Sequence, residues 1–335
     1  MTKGAGWGTV RPPMGEIRTF LETHFLHFNS RELVAAARAW EAHLARGGKM
    51  LVSLAGAMST ARIGKLLSEL IRRDMVHAIS CTGANLEEDV FSLLARESYE
   101  TIADWRALRA EDEQALYDRG MNRVTDTCIP ETVMRDLEAR LRSRWRRAAE
   151  RGEVKMPVEF LHEVLDDPGL VAKFQAPPEE SWVLTTRAAG IPVFTPGWED
   201  STTGNLFAAA VWSAEVPSHG CVASGTVQFE RVMRWYLEQP RDPAPGFFQI
   251  GGGIAGDFAI CAVPCLIQDL RREDVPAWGY FAQISDAVTS YGGYSGAVPN
   301  EKITWGKLRP QTPKFMIQSD ATIVAPLIFA HLLDL

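Results

Sequence analysis

The chain has 335 residues, 46% of them hydrophobic and 23% charged, which is ample material for a large globular core and excludes a fibrous or disordered class. Its formal net charge of -7, from 35 basic and 42 acidic residues, argues against a general nucleic-acid binder and leaves room for a cationic substrate. The five cysteines (Cys81, Cys128, Cys221, Cys261, Cys265) are an odd set in a chain too large to need disulfide staples, so a reducing, cytoplasmic setting is expected.

Residues 1–15 are rich in Gly and Pro, carry no apolar signal-peptide core, and read as a flexible arm. Ser30 to Arg46 has helical spacing through Leu33, Ala36, Ala37, Trp40 and Leu44, with Ser30 as N-cap and Gly47-Gly48 as the stop. Met50 to Ala55 is a short apolar run suited to a buried strand. Ser59 to Arg73 reads as a helix, with Ile63, Leu66, Leu67 and Leu70 on one face. Val76 to Cys81 is a second strand, followed by Thr82-Gly83-Ala84-Asn85 and an acidic helix start, Glu87-Glu88-Asp89. This alternation predicts βαβ units and a parallel sheet.

Residues 105–155 are dense in charge and read as a helical insertion into one domain spanning 16–335. The arginine-rich stretch Arg135 to Arg151 has acids interleaved, so a solvated face with ion pairs is favoured over an anion-binding surface. The α/β rhythm then resumes. Ser181 to Ala189 reads as a helix, and Ile191 to Thr195, Phe247 to Ile250, Trp278 to Ile284 and Lys314 to Gln318 as strands. Ala321 to Leu335 is too short to cross a membrane and reads as a buried helix or an oligomer contact. The fold class expected is α/β, a Rossmann-like open parallel sheet with helices on both faces.

Several strands end in small or acidic residues: Thr82-Gly83-Ala84, Asp200-Ser201, Gly251-Gly252-Gly253 and Asp320-Ala321. In an open parallel sheet, strand carboxyl ends line the ligand crevice, where glycines admit a phosphate and acids bind ribose hydroxyls. The pattern is of dinucleotide type, without the G-x-G-x-x-G fingerprint. No Cys/His cluster completes a metal site: Cys261 and Cys265 lack a second pair, as do His24 and His27. Lys307 stands out, following an aromatic-glycine pair at the end of a Gly/Ser/Tyr loop. Burial or neighbouring cations can keep such a lysine neutral, and a neutral amine forms imines with carbonyl carbons.

Gly251-Gly252-Gly253, Glu87-Glu88-Asp89 after a Thr-Gly turn, Ile191-Pro192-Val193-Phe194-Thr195-Pro196, Ser295-Gly296-Ala297 and Thr304-Trp305-Gly306-Lys307 occur in this order from about residue 28 onward. In content and spacing they resemble the deoxyhypusine synthases. The resemblance implies an NAD-binding α/β fold and a homotetramer of tight dimers with sites at the dimer interface. It also implies a polyamine substrate, spermidine, whose aminobutyl part passes to a lysine as an imine and then to an acceptor amine. That acceptor is a protein lysine in deoxyhypusine synthase, and putrescine in the homospermidine synthases of the same fold.

On this resemblance Lys307 matches the imine-forming lysine, Trp305 the aromatic packed along the polyamine, and Glu301 an acid of the same loop. Glu87 and Glu88 match the acidic pair near substrate and nicotinamide ribose, and Gly292 and Gly293 belong to the substrate loop. NAD contacts are implied for Gly56, Ala57, Met58, Ser59, Thr82, Gly83, Ala84, Glu88, Asp200, Gly252, Asp286, Ala287, Asp320 and Ala321. Carboxylates and an aromatic face suit a protonated amine.

The departures bear on the substrate. Asp257 stands where the family carries a histidine base, and Asn205 and Tyr294 stand where it carries acids that anchor amines. The first cofactor loop, Ala55-Gly56-Ala57-Met58-Ser59, lacks the family's serine-asparagine pair. The reading is an NAD-dependent aminoalkyl transferase with homospermidine or a related amine conjugate as product. The alternatives are a true deoxyhypusine synthase, a hydrolase or lyase of another cationic amine, and a non-catalytic NAD-binding protein. Lys307, Trp305 and Glu301 together speak against the last.

Overall fold

The computed structural model describes residues 14–289 and 292–335. Most of the expected arm therefore lies outside the described residues. At its end, the Gly15 N–H donates to Asp334 Oδ1 at 3.2 Å, and the Arg18 N–H donates to the Leu335 carbonyl.

Nine strands occur among the described residues: β1 Met50–Leu54, β2 Ala78–Cys81, β3 Glu100–Thr101, β4 Met121–Val124, β5 Thr127–Pro130, β6 Val193–Phe194, β7 Gly246–Ile250, β8 Tyr280–Ile284 and β9 Lys314–Ile317. Six form one sheet in the order β6-β2-β1-β7-β8-β9, with every pairing parallel. The expected α/β class is what the structure shows. β1, β2, β7 and β8 are buried along their whole length, which is why they read as continuous apolar runs.

Side chains alternate across the sheet and bury against helices on both faces. On one face Phe248 and Tyr280 pack against Trp40 of the helix Phe28–Ala45 and Phe329 of the helix Ala321–Leu333, with Trp40 and Phe248 centroids 4.8 Å apart. On the other, Phe247 meets Trp278, which in turn packs on Tyr236 of the helix Gly225–Glu238. Buried apolar residues from Leu21 to Leu333 join in one connected core.

Several boundaries differ from the sequence expectation. The first long helix starts at Phe28, and the Ser30 hydroxyl donates back to the His27 carbonyl rather than capping. The helix expected from Ser59 starts at Gly64, because Arg62 adopts a left-handed conformation (φ 61) and the Ser59 backbone N–H and hydroxyl are engaged by Asn85. Five of the strands are shorter than their apolar runs, β6 having two residues, while β7 begins one residue earlier than expected, at Gly246. The charged middle is not wholly helical: β3, β5 and β4 make an antiparallel sheet in that order, turned at Thr125 with φ 56. The arginine-rich helix Glu131–Arg151 buries Val133, Leu137, Leu141, Trp145 and Ala148, and its arginines pair outside with Glu131, Glu138 and Glu215. No helix among the described residues is long and apolar enough to cross a membrane.

Candidate active site

The strand order reverses between β1 and β7, since β2 and β6 extend one way and β8 and β9 the other. A crevice at the carboxyl ends of the strands is expected at such a switch point. Its two walls are the loop after β1, Ala55 to Ser59, and the turn after β7, Gly251-Gly252-Gly253. The walls touch: a Cβ on Gly251 (φ 74) would come 2.9 Å from the Ala55 Cβ. A Cβ on Gly252 would overlap Ser295, so the loop that carries Ser295 lies directly on this turn.

Asn85 shapes the first wall. Its Nδ2 lies 3.2, 3.1 and 2.8 Å from the Leu54, Ala55 and Gly56 carbonyls, and its Oδ1 accepts from the Ser59 N–H at 3.0 Å. Thr82 caps the helix Gly83–Ala95 and donates its hydroxyl to the Gly56 carbonyl at 2.7 Å. Ser59 is thereby drawn inward, donating to the Asn85 carbonyl and accepting from Trp182 Nε1, while Gly56, Ala57, Met58 and Ala84 stay at least partly exposed.

The three acids after that turn diverge in role. Glu87 accepts from the Thr202 and Thr203 N–H groups at 2.9 and 2.7 Å and so caps the helix Thr202–Trp212. Asp89 accepts from the Ser181 hydroxyl and the Val183 N–H. Glu88 is buried, its Oε2 has no hydrogen-bond partner among the described residues, and burial pushes its carboxyl up to about 7. Asp200, Asp286 and Asp320 are exposed at the ends of the segments after β6, β8 and β9, with Ala287 and Ala321 half-buried beside them. Asp320 also caps its helix through the Thr322 N–H at 2.7 Å. Asn205 is exposed and donates to the Glu199 carbonyl.

Lys307 opens onto a separate cavity of about 460 Å³ lined by Asp257, Cys261, Gly292, Gly293, Tyr294, Glu301, Lys302 and Trp305, among others. The backbone explains how the lysine arrives there. The short helix Glu301–Thr304 ends with Gly306 in the left-handed region (φ 74); the Gly306 N–H donates to the Ile303 carbonyl and the Lys307 N–H to the Lys302 carbonyl. This is a Schellman cap, and glycine is the residue that fits its left-handed position. It explains the glycine before Lys307 and brings residues 302 and 307 side by side.

Lys307 is 6% exposed, and its Nζ donates to Asp257 Oδ1 at 2.5 Å. Asp257 sits on the helix Gly253–Ile260, which starts at the turn after β7, so one helix joins that turn to the cavity. The Tyr294 ring lies 5.1 Å from Lys307 Nζ and 4.8 Å from Lys302 Nζ. Its hydroxyl donates to Gln249 Oε1 at 3.0 Å. Trp305 is 63% exposed and forms the rim with the exposed Glu301.

Sequence reasoning missed Lys302, Gln249, Gln283, Asn85 and Cys261. Gln249 and Gln283 are fully buried, pair in register on β7 and β8, and both donate to the Gly251 carbonyl at 3.0 Å. The signal was present: each is a lone polar residue inside a buried apolar strand. Cys261 donates to Asp257 Oδ1, and burial pushes its thiol up to about 11.

A doubly wound parallel sheet with glycine-bearing turns at its switch point, a neighbouring cavity and a buried lysine defines the class. The family model described as deoxyhypusine synthase matches residues 21–332. The chain belongs to the deoxyhypusine synthase family. It is 27% identical to a Methanosarcina mazei protein named "Probable deoxyhypusine synthase 2", over 91% of this chain and 83% of that one. It is also 27% identical to a "Deoxyhypusine synthase-like protein" of Nostoc, over 94% of this chain and 80% of that one. A solved structure assigned as a deoxyhypusine synthase of Entamoeba histolytica shares the fold, with a TM-score of 0.50 and 11% identity over 85% of this chain and 75% of that chain.

Proposed function

We propose that the protein is an NAD-dependent aminoalkyl transferase that works on a polyamine or related amine through an imine on Lys307. The observation that carries this reading is a buried lysine with a carboxylate at 2.5 Å, facing a cavity beside an aromatic rim. Asp257 is placed to take the proton that Lys307 must lose before its nitrogen can attack. Lys307 then adds to the imine carbon of the oxidised substrate and expels the smaller amine, and an acceptor amine displaces Lys307 by the same exchange. Trp305 and Tyr294 give the alkyl chain apolar faces, and Glu301 offers a carboxylate to a terminal ammonium.

The crevice fits a dinucleotide. At Gly253 (φ 57) a Cβ would meet open space, and at Gly56 (φ 60) only the Met58 Cε at 3.9 Å, so backbone is presented at both walls. Glu88, whose Oε2 has no hydrogen-bond partner among the described residues, would add an acceptor to it. Gly56, Ala57, Thr82, Gly83, Gly252 and Glu88 would hold NAD, with Asp286 and Asp320 at its edges. When bound, NAD supplies a hydride acceptor that returns the same hydride, so the exchange is redox-neutral.

The acceptor is a small amine in this reading, since Asn205 and Tyr294 replace two acids of the resembled pattern. A homo-oligomer covers surface that a lone chain leaves open, including Trp212 at 93% and Phe28 at 95% exposure. Five free cysteines suit a reducing cytoplasmic setting.

The test is borohydride quenching of protein incubated with NAD and spermidine or putrescine, read by peptide mass spectrometry. A stable adduct on Lys307, absent in Lys307→Arg, supports the reading. No adduct with any amine of a broad panel refutes it.

A further inference from the structure

Lys302 is a second lysine inside the Lys307 cavity, and nothing in the proposed reaction uses it. Only 2% of it is exposed. Its Nζ lies over the Phe281 ring at 4.9 Å and the Tyr294 ring at 4.8 Å. Its hydrogen-bond acceptors are two neutral oxygens at the long end of the range, Gln283 Oε1 at 3.4 Å and the Ala297 carbonyl at 3.5 Å. Among the described residues, no carboxylate lies within 4 Å of it, although 31 such ion pairs or His–acid contacts occur elsewhere.

The other charges of the cavity do not compensate. Asp257 is engaged by Lys307, and its Oδ1 also accepts from Cys261. Glu301 is exposed at the mouth. The interior therefore holds two lysine side chains sharing one aromatic ring, and one carboxylate that only Lys307 contacts. An isolated buried charge is costly unless paired. Burial and the nearby charge of Lys307 push the Lys302 ammonium down to about 8, the direction expected of a cation lacking its counter-charge.

We propose that Lys302 is a subsite for an anionic group, and that at least one of the two amines exchanged at Lys307 is an aminocarboxylate. The carboxylate would replace the two long contacts with charge-assisted hydrogen bonds in a dry cavity. Its amine end would point toward Lys307 or toward Glu301 at the rim. A purely cationic polyamine would instead bring further positive charge against Lys302. This inference rests on the imine reading only for the word "exchanged"; the subsite itself is a binding property.

Equilibrium binding of matched probes separates the two ideas. Ornithine is putrescine with one added carboxylate, and 2,4-diaminobutanoate stands in the same relation to 1,3-diaminopropane. Wild-type protein should bind each carboxylated probe at least tenfold more tightly than its partner. Lys302→Met should erase that preference, Lys302→Arg should keep much of it, and Lys307→Arg should leave it in place. Equal affinity for both members of each pair in wild type, or a preference that survives in Lys302→Met, overturns the subsite. A retained preference without any trapped Lys307 adduct would sink the transferase reading and leave the subsite standing.

Discussion

Replacing Lys302 by methionine should make the protein more stable. At pH 7 the folded chain carries the Lys302 ammonium in a buried site that lowers its proton affinity from the ordinary 10.5 to about 8. At about 1.4 kcal/mol per tenfold change in proton affinity, the charged form costs the folded state about 3 kcal/mol. A lysine with a lowered folded pKa carries this cost in full below about 8, and loses it as pH rises toward 10.5, where the unfolded chain is neutral as well. Methionine removes the charge at similar length, but forfeits the contacts with the Phe281 and Tyr294 rings, worth about 1 kcal/mol. The net gain expected is about 2 kcal/mol at pH 7, falling to near zero by pH 10. Urea unfolding of both proteins at one protein concentration, at pH 7, 8, 9 and 10, measures it. Differences between variants cancel the other titrating groups. A variant less stable than wild type at pH 7, or a gap that does not change with pH, would refute the reasoning.

Three further outcomes follow from the site. Asn85→Ala removes the side-chain partner of the Ser59 N–H and the Ala55 carbonyl, while the Leu54 and Gly56 carbonyls keep Thr82, so it should cost about 1 to 3 kcal/mol in urea unfolding and weaken NAD binding by fluorescence titration. Gly306→Ala forces a Cβ into the left-handed region, 3.0 Å from Gln268 Nε2; it should lower stability by about 1 kcal/mol and slow borohydride trapping at Lys307. Glu88 has a carboxyl raised to about 7 from an ordinary 4.5, so its contribution is favourable at low pH and is lost as pH rises through 7. Glu88→Gln should therefore gain about 2.5 kcal/mol relative to wild type between pH 5 and pH 8; a constant difference across that range would remove Glu88 as a buried acid.

The parallel sheet was legible because β1, β2, β7 and β8 are buried on both faces and write themselves as apolar runs. Lys307 was legible because a left-handed cap demands glycine before it, which leaves a fixed local pattern. Glu87 and Ser59 were legible as positions but not as roles. Whether a polar group faces a ligand or its own backbone depends on partners far away in sequence, such as Thr202 for Glu87 and Trp182 for Ser59. Lys302 was hidden for the opposite reason. A lysine in a four-residue helix reads as solvated surface, and only the cavity shows it buried. The small antiparallel sheet was hidden by charge, since β4 is only half-buried and carries Asn122 and Arg123.

The Schellman hydrogen bond from the Lys307 N–H to the Lys302 carbonyl has an evolutionary consequence. It involves only main-chain atoms, so the backbone that delivers Lys307 is indifferent to which side chain stands at 302. A change there from lysine to an aliphatic residue would turn one wall of the cavity from charged to greasy without moving the Lys307 nitrogen. Preference for acidic or non-acidic amines could then diverge between related chains by a single codon, with Lys307 and Asp257 carried along intact.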